Sequence, residues 1–145
     1  MNPKAASILA FAVCAGCVLF LGYQRLLFAN GPVTIIVQAL AVLLMIWARV
    51  TFGARSFHAA ANPTAGGIVT HGPYRFIRHP IYAAIVYFLV GSVIAHLSAR
   101  TVIAVVIADL ALFIRMRSEE HLLLERYPEY SDYARRTSRI IPGVI

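Results

Sequence analysis

The sequence predicts an all-α fold: a polytopic integral membrane bundle of four transmembrane helices, the last two forming a helical hairpin that leads into a cytoplasmic tail. Three observations predict it. The 145 residues are 60% hydrophobic and only 13% charged, where a soluble domain carries about 25% charged residues. Mean hydropathy is +0.75. The apolar residues gather into long runs, and the basic residues flank those runs unevenly. The length suits one domain, residues 1–145.

The first run, Ala5 to Tyr23, is apolar apart from Ser7 and two cysteines, and crossing a bilayer takes roughly 20 residues. Ala12 and Gly16, four apart, offer a small-residue face for a neighbouring helix. Cys14 and Cys17 have the spacing of a redox or metal pair, but no further ligands accompany them, and they read as packing residues. Asn30-Gly31-Pro32 is a turn. Val33 to Phe52 is the second span, with Gln38 and Arg49 inside it and Trp47 as an interfacial anchor. Residues 53–80 form a polar connection too long for a bare linker. It carries turn signals at Asn62-Pro63 and Gly66-Gly67 and room for an interfacial helix around Arg55 to Ala61. Ile81 to Leu97 and Thr101 to Ile114 are each a little short for full thickness, and Ser98-Ala99-Arg100 joins them as a hairpin. The second helix continues through Arg115 and Glu120 to end near Tyr127-Pro128, and Glu129 to Ile145 is a short amphipathic tail.

Four spans put both termini on one side. Of the 13 lysines and arginines, only Arg25 and Arg100 then fall on the other. The positive-inside rule places both termini, the polar connection and the tail at the cytoplasmic face of a bacterial inner membrane. Anionic headgroups of membrane lipids account for the formal net charge of +7. No aromatic-basic module suggests nucleic acid, and nothing in the sequence speaks to oligomeric state.

The polar residues concentrate in two clusters. One is His71-Gly72-Pro73-Tyr74-Arg75-Phe76-Ile77-Arg78-His79-Pro80-Ile81-Tyr82. Pro80 fits the first position of a helix, where a missing N–H costs nothing. Arg78 and His79 then sit at its positive end, which attracts anions. The other cluster is Glu119-Glu120-His121. Adjacent helical residues diverge by about 100°, so one carboxylate can face a ligand while the other pairs with Arg78, Arg115 or Arg117; a solvated helix end with surface ion pairs is the plainer alternative. Asp109 sits mid-run, where a charge must be paired, neutral or facing a wet cavity. It shares a face with Glu120, three turns on. It lines an acceptor route from the membrane or else bonds structurally to Gln38 or Ser92. Ligand spacing for a metal is absent from the His and Glu residues, as are a nucleotide-binding glycine loop and a hydrolase elbow.

These residues carry a resemblance. The pattern Gly72-x-Tyr74-x-x-x-Arg78-His79-Pro80-x-Tyr82, a hydrophobic hairpin, Glu119-Glu120 and a Tyr-rich tail with Tyr127, Tyr130, Tyr133, Arg139 and Pro142 resembles the isoprenylcysteine carboxyl methyltransferase family and its phospholipid methyltransferase relatives, over about residues 50–143. The resemblance implies S-adenosylmethionine as methyl donor and a donor pocket at the cytoplasmic face. It implies donor contacts from Tyr74, Arg78, His79, Pro80, Tyr82, Glu119 and Glu120, and candidate catalytic roles for His79 and Arg139, with Asp109 added on its position. The acceptor expected is an amphiphilic or lipid-like small molecule bearing a carboxylate, thiol or amine. Two other readings compete. A membrane NADPH-dependent reductase akin to sterol reductases needs room for a larger cofactor, and a non-catalytic scaffold would bind neither cofactor.

Overall fold

The structure, a computed structural model, describes residues 3–53 and 67–144. The helix expected around Arg55 to Ala61 and the Asn62-Pro63 turn lie outside the described residues. Five α-helices follow in order: α1 (Pro3–Tyr23), α2 (Pro32–Phe52), α3 (Pro80–Ala95), α4 (Ala99–Arg126) and α5 (Tyr130–Arg136). A 3₁₀ turn, Gly72–Arg75, precedes α3.

Local signals set the helix starts. Pro32 occupies the first turn of α2 behind Gly31, and Thr34 Oγ1 both accepts the Gly31 N–H at 3.2 Å and donates to its carbonyl at 2.9 Å. Ser98 caps α4 by accepting the Thr101 N–H at 3.2 Å. Pro80 opens α3.

The expectation of four transmembrane helices is corrected to two. Among the described residues only α1 and α2 are long and apolar enough to cross a membrane. With 16 residues, α3 reaches about 24 Å at 1.5 Å per residue, short of the roughly 30 Å of hydrocarbon. Along α4, Arg100, Asp109, Arg115 and Arg117 leave no apolar stretch of sufficient length. The shorter and more polar elements instead pack on the two long helices. α1 lies against α4 and α2 against α3, while α1 and α2 are not themselves a packed pair.

The α1–α4 seam is made of small residues. Ala6, Ala10 and Cys14, spaced by four, are buried with Ala104, Ala108 and Ala111 of α4. The expected close approach at Ala12 and Gly16 does not occur, since nothing lies within 4 Å of where a Gly16 Cβ would stand. The α2–α3 seam is polar. Gln38 Nε2 donates to Leu27 O at 2.9 Å and to Ser92 Oγ at 3.1 Å, and its Oε1 accepts the Ala29 N–H at 2.9 Å. Gln38 and Ser92 are therefore bonded to each other rather than to Asp109. The His96 ring meets Phe28 O at 2.7 Å, so the tip of the α3–α4 hairpin ends level with the α1–α2 loop.

At the other end of the molecule the 3₁₀ turn packs on α2. Gly72 has φ +58°, a backbone conformation that side chains disfavour, and a Cβ there would come within 2.7 Å of Thr51 Oγ1. Glycine is thus required at this contact. Tyr74 is thereby set against Phe52, with ring centroids 5.5 Å apart.

Candidate active site

Sequence-distant elements converge where α3 begins. The strand-like segment before it pairs with the tail: Ile77 and Ser138 form a parallel bridge, Arg78 N–H donates to Ser138 O at 2.9 Å, and His79 N–H donates to Arg139 O at 3.0 Å. The tail is held again by α5, whose Tyr133 hydroxyl donates to Tyr74 O at 2.8 Å.

Glu120 of α4 lies at the centre of this junction. Its carboxylate accepts from Arg78 Nε at 2.8 Å, from Arg139 Nε at 3.2 Å and Nη2 at 3.2 Å, and meets His79 Nε2 at 3.3 Å. Arg78 Nη1 further donates to the carbonyls of Ala134 and Thr137. Burial alone would push the Glu120 carboxyl up, but the hydrogen bonds from His79, Arg78 and Arg139 outweigh it and hold the group well below the usual carboxylate range.

Glu119 points elsewhere. Its Oε1 accepts the Tyr82 hydroxyl at 2.5 Å and stands 3.9 Å from Arg115 Nη2, and its Oε2 is 3.8 Å from His79 Nδ1. Arg115 is 5% exposed. It donates to the Tyr82 hydroxyl at 2.8 Å and to both oxygens of Ser7 at 3.2 Å, and its guanidinium lies 5.3 Å from the Phe11 ring centre. The Tyr82 phenol is kept protonated by burial first and by the Glu119 charge second. The His79 and Tyr82 rings lie 5.5 Å apart.

This group forms the polar end of a cavity of about 680 Å³ between the α1–α4 and α2–α3 pairs. Ligand pockets typically span roughly 300–1,000 Å³. Tyr74, Arg78, His79, Pro80, Tyr82 and Glu119 all line it; Glu120 and Arg139 stand behind that wall, bonded to it. Asp109 does not line it. One Asp109 oxygen is buried without a partner among the described residues. The rest of the cavity is apolar, with Phe11, Cys14 and Val18 from α1, Ala41 and Met45 from α2 and Ile85 from α3.

Comparison with known families matches residues 32–125 to the isoprenylcysteine carboxyl methyltransferase (ICMT) family. The chain belongs to this family. Among curated proteins it is 41% identical over 81 residues to the nickel-cobalt-cadmium resistance protein NccN of Alcaligenes xylosoxydans xylosoxydans, covering 52% of this chain and 36% of that one. It is 36% identical over 81 residues to the cobalt-zinc-cadmium resistance protein CzcN of Cupriavidus metallidurans, covering 52% and 35%. The matched stretch thus spans about a third of the length of these relatives. No solved structure matches. The two apolar helices and the bacterial relatives support a bacterial membrane-associated protein.

The ICMT match ends at residue 125, so Arg139 and the tail that embraces Glu120 lie beyond it. Among the wall residues outside the sequence-based site are Arg115 and Tyr130. Arg115 has a faint sequence signal, standing four residues before Glu119 on one helix. Tyr130 belongs to the Tyr-rich tail of the family pattern, but only the folded-back tail shows that it reaches the cavity.

Proposed function

We propose that the protein is a membrane-associated methyltransferase that takes its methyl group from S-adenosylmethionine and gives it to an amphiphilic small molecule. The observation that carries this reading is the cavity's division into a polar end and an apolar length. The polar end offers a carboxylate, Glu119, with 25% of its side chain exposed, lining the space beside the positively polarised start of α3. That pairing suits the ammonium and carboxylate of the donor's amino-acid group, while the apolar walls suit a hydrocarbon acceptor.

When bound, the donor supplies an electrophilic methyl carbon: the acceptor's lone pair forms the new bond as the carbon–sulfur bond breaks, leaving a neutral thioether. The protein's own part is alignment and exclusion of water. Tyr82 and Arg115 hold the Glu119 carboxylate in one orientation. His79, fixed between the two glutamates, lines the cavity and is the group placed to take a proton from a thiol or amine acceptor. Arg139 keeps Glu120 and His79 in place from the tail. Asp109 has no part in this site.

The same reading places the donor entrance at the cytoplasmic face of the inner membrane. Arg49, Arg78 and Arg115 all stand at the polar end, and Arg25 is alone among the 13 basic residues in falling between the two apolar helices. The acceptor enters from the bilayer between α1 and α2, which leave their facing sides unpacked. Transfer of labelled methyl from S-adenosylmethionine into a panel of lipid amines, thiols and carboxylates, with mass analysis of the product, tests it. Labelling of an amphiphilic acceptor is expected; methylation only of a strongly polar acceptor, at equal rates in lipid and detergent, contradicts the lateral route.

A further inference from the structure

The cavity's far end is closed by a turn that takes no part in the chemistry at the near end. Leu27, in the connection between α1 and α2, lines the cavity there with Leu19, Ala41 and Phe88 of three different helices. Its side chain reaches back to the end of α1, where Cδ2 lies 3.8 Å from the place of a Gly22 Cβ. Its carbonyl is held twice, by the Ser92 hydroxyl at 2.6 Å and by Gln38 Nε2 at 2.9 Å. The next two residues are fixed as well. The Phe28 carbonyl meets His96 Nε2 at 2.7 Å, and Ala29 N–H donates to Gln38 Oε1 at 2.9 Å. Gln38 and Ser92 are both buried. Helix α3 comes so near that a Cβ on Gly91 would stand 2.8 Å from Gln38 Cγ. A buried polar network with its bonds made is rigid, and this one ties the turn to α2 and α3 at once.

We propose that Leu27 is the end wall for the acceptor's hydrocarbon and thereby sets the chain length that the protein accepts. This rests on the amphiphilic acceptor proposed above. Pro80 stands at the polar end of the cavity, and Phe88 lies eight residues further along α3, about 12 Å at 1.5 Å per residue. The stretch between them is walled by apolar side chains such as Cys14, Met45 and Ile85. A hydrocarbon whose headgroup sits at the polar end therefore lies along the helices and points at Leu27. A chain that fits makes contact along its whole length. A longer one meets a leucine whose backbone is anchored to two helices. Residue 27 lies outside the stretch matched to the ICMT family, 32–125, so the family match does not supply this wall.

Straight-chain fatty acids from hexanoic to stearic acid are the probe, their carboxylate suited to the arginines that line the polar end. Affinities are measured by competition against a spin-labelled fatty acid, with the protein in nanodiscs of one lipid composition. Taking variant over wild type at each length cancels the chain's own partition into lipid. Leu27→Ala should bind the longest chains about 3- to 10-fold more tightly than wild type and the shortest equally. Leu27→Trp should bind chains that reach the wall about 3- to 10-fold more weakly, again with the shortest unchanged. Gln38→Leu removes one of the two bonds on the Leu27 carbonyl and should shift the long chains in the direction of Leu27→Ala. A residue that only supports the fold would change all lengths alike. Ratios independent of length in both Leu27 variants overturn the inference and send the tail sideways between α1 and α2. Absence of saturable wild-type binding at every length overturns the acceptor reading and the inference together. Methyl transfer is scored separately on the same protein: its absence beside length-dependent binding overturns the methyltransferase reading and leaves the end wall standing.

Discussion

The two faces of α4 at its charged end treat adjacent carboxylates in opposite ways. On one face Glu120 is 10% exposed and surrounded by Arg78, His79 and Arg139, so both carboxylate oxygens have protein partners. On the other, Glu119 is 25% exposed and looks into the cavity across Tyr82 and Arg115. The first face joins three sequence-distant segments; the second leaves capacity for something not in the chain. Identical chemistry therefore serves architecture in one position and, in the function proposed above, recognition in the next, and the helical turn of about 100° between neighbours separates them.

The largest effect should come from the closed face. Glu120→Gln leaves the buried Arg78 guanidinium and the half-buried Arg139 guanidinium without their counter-charge, and breaking a buried pair from one side costs about 3–5 kcal/mol. Chemical unfolding in detergent should show that loss, with the tail becoming susceptible to protease. Acid should act through the same group. Its folded-state pKa is depressed below the ordinary 4.5. Its contribution is therefore present above that value and is lost as pH falls below it towards the depressed one, so wild type should weaken in acid and Glu120→Gln should lose that part of the dependence.

The open face should behave differently. Glu119→Gln should lower affinity for the methyl donor by roughly ten- to a hundred-fold, the worth of one charged hydrogen bond, while moving the unfolding midpoint less than Glu120→Gln does. Equal destabilisation by the two variants would erase the distinction between the faces.

Smaller effects sharpen the boundary. Gly72→Ala forces a side chain into positive φ and against Thr51, and should cost about 1–3 kcal/mol of stability by shifting the turn that carries Tyr74. Tyr133→Phe gives up one hydrogen bond to the Tyr74 carbonyl and should cost about 1 kcal/mol.

What the sequence made legible followed from local patterns. Pro80 after Arg78-His79 marks a helix start, and paired glutamates at a helix end mark a polar patch; both signals lie within a few residues. The number of membrane-crossing helices was misjudged because Ile81 to Leu97 and Thr101 to Ile114 look apolar in isolation, whereas α3 is too short and α4 too charged to qualify. Small residues at Ala12 and Gly16 satisfied a necessary condition for close packing, yet the seam formed through Ala6, Ala10 and Cys14, one helical face away. Arg139 was found through family likeness, but its role in bracing Glu120 depends on a tail that folds back on residues about sixty positions earlier. No local pattern encodes that return, which is also why Tyr130 counts only as part of a Tyr-rich tail in the sequence and as a cavity wall only in the fold.

The central claim is that the open face of α4 binds the methyl donor. Isothermal titration of the detergent-purified protein with S-adenosylmethionine, wild type beside Glu119→Gln, measures it directly. The account predicts saturable binding at one site per chain in the wild type and a large loss in the folded variant. Equal binding by both, or none by the wild type, would contradict it.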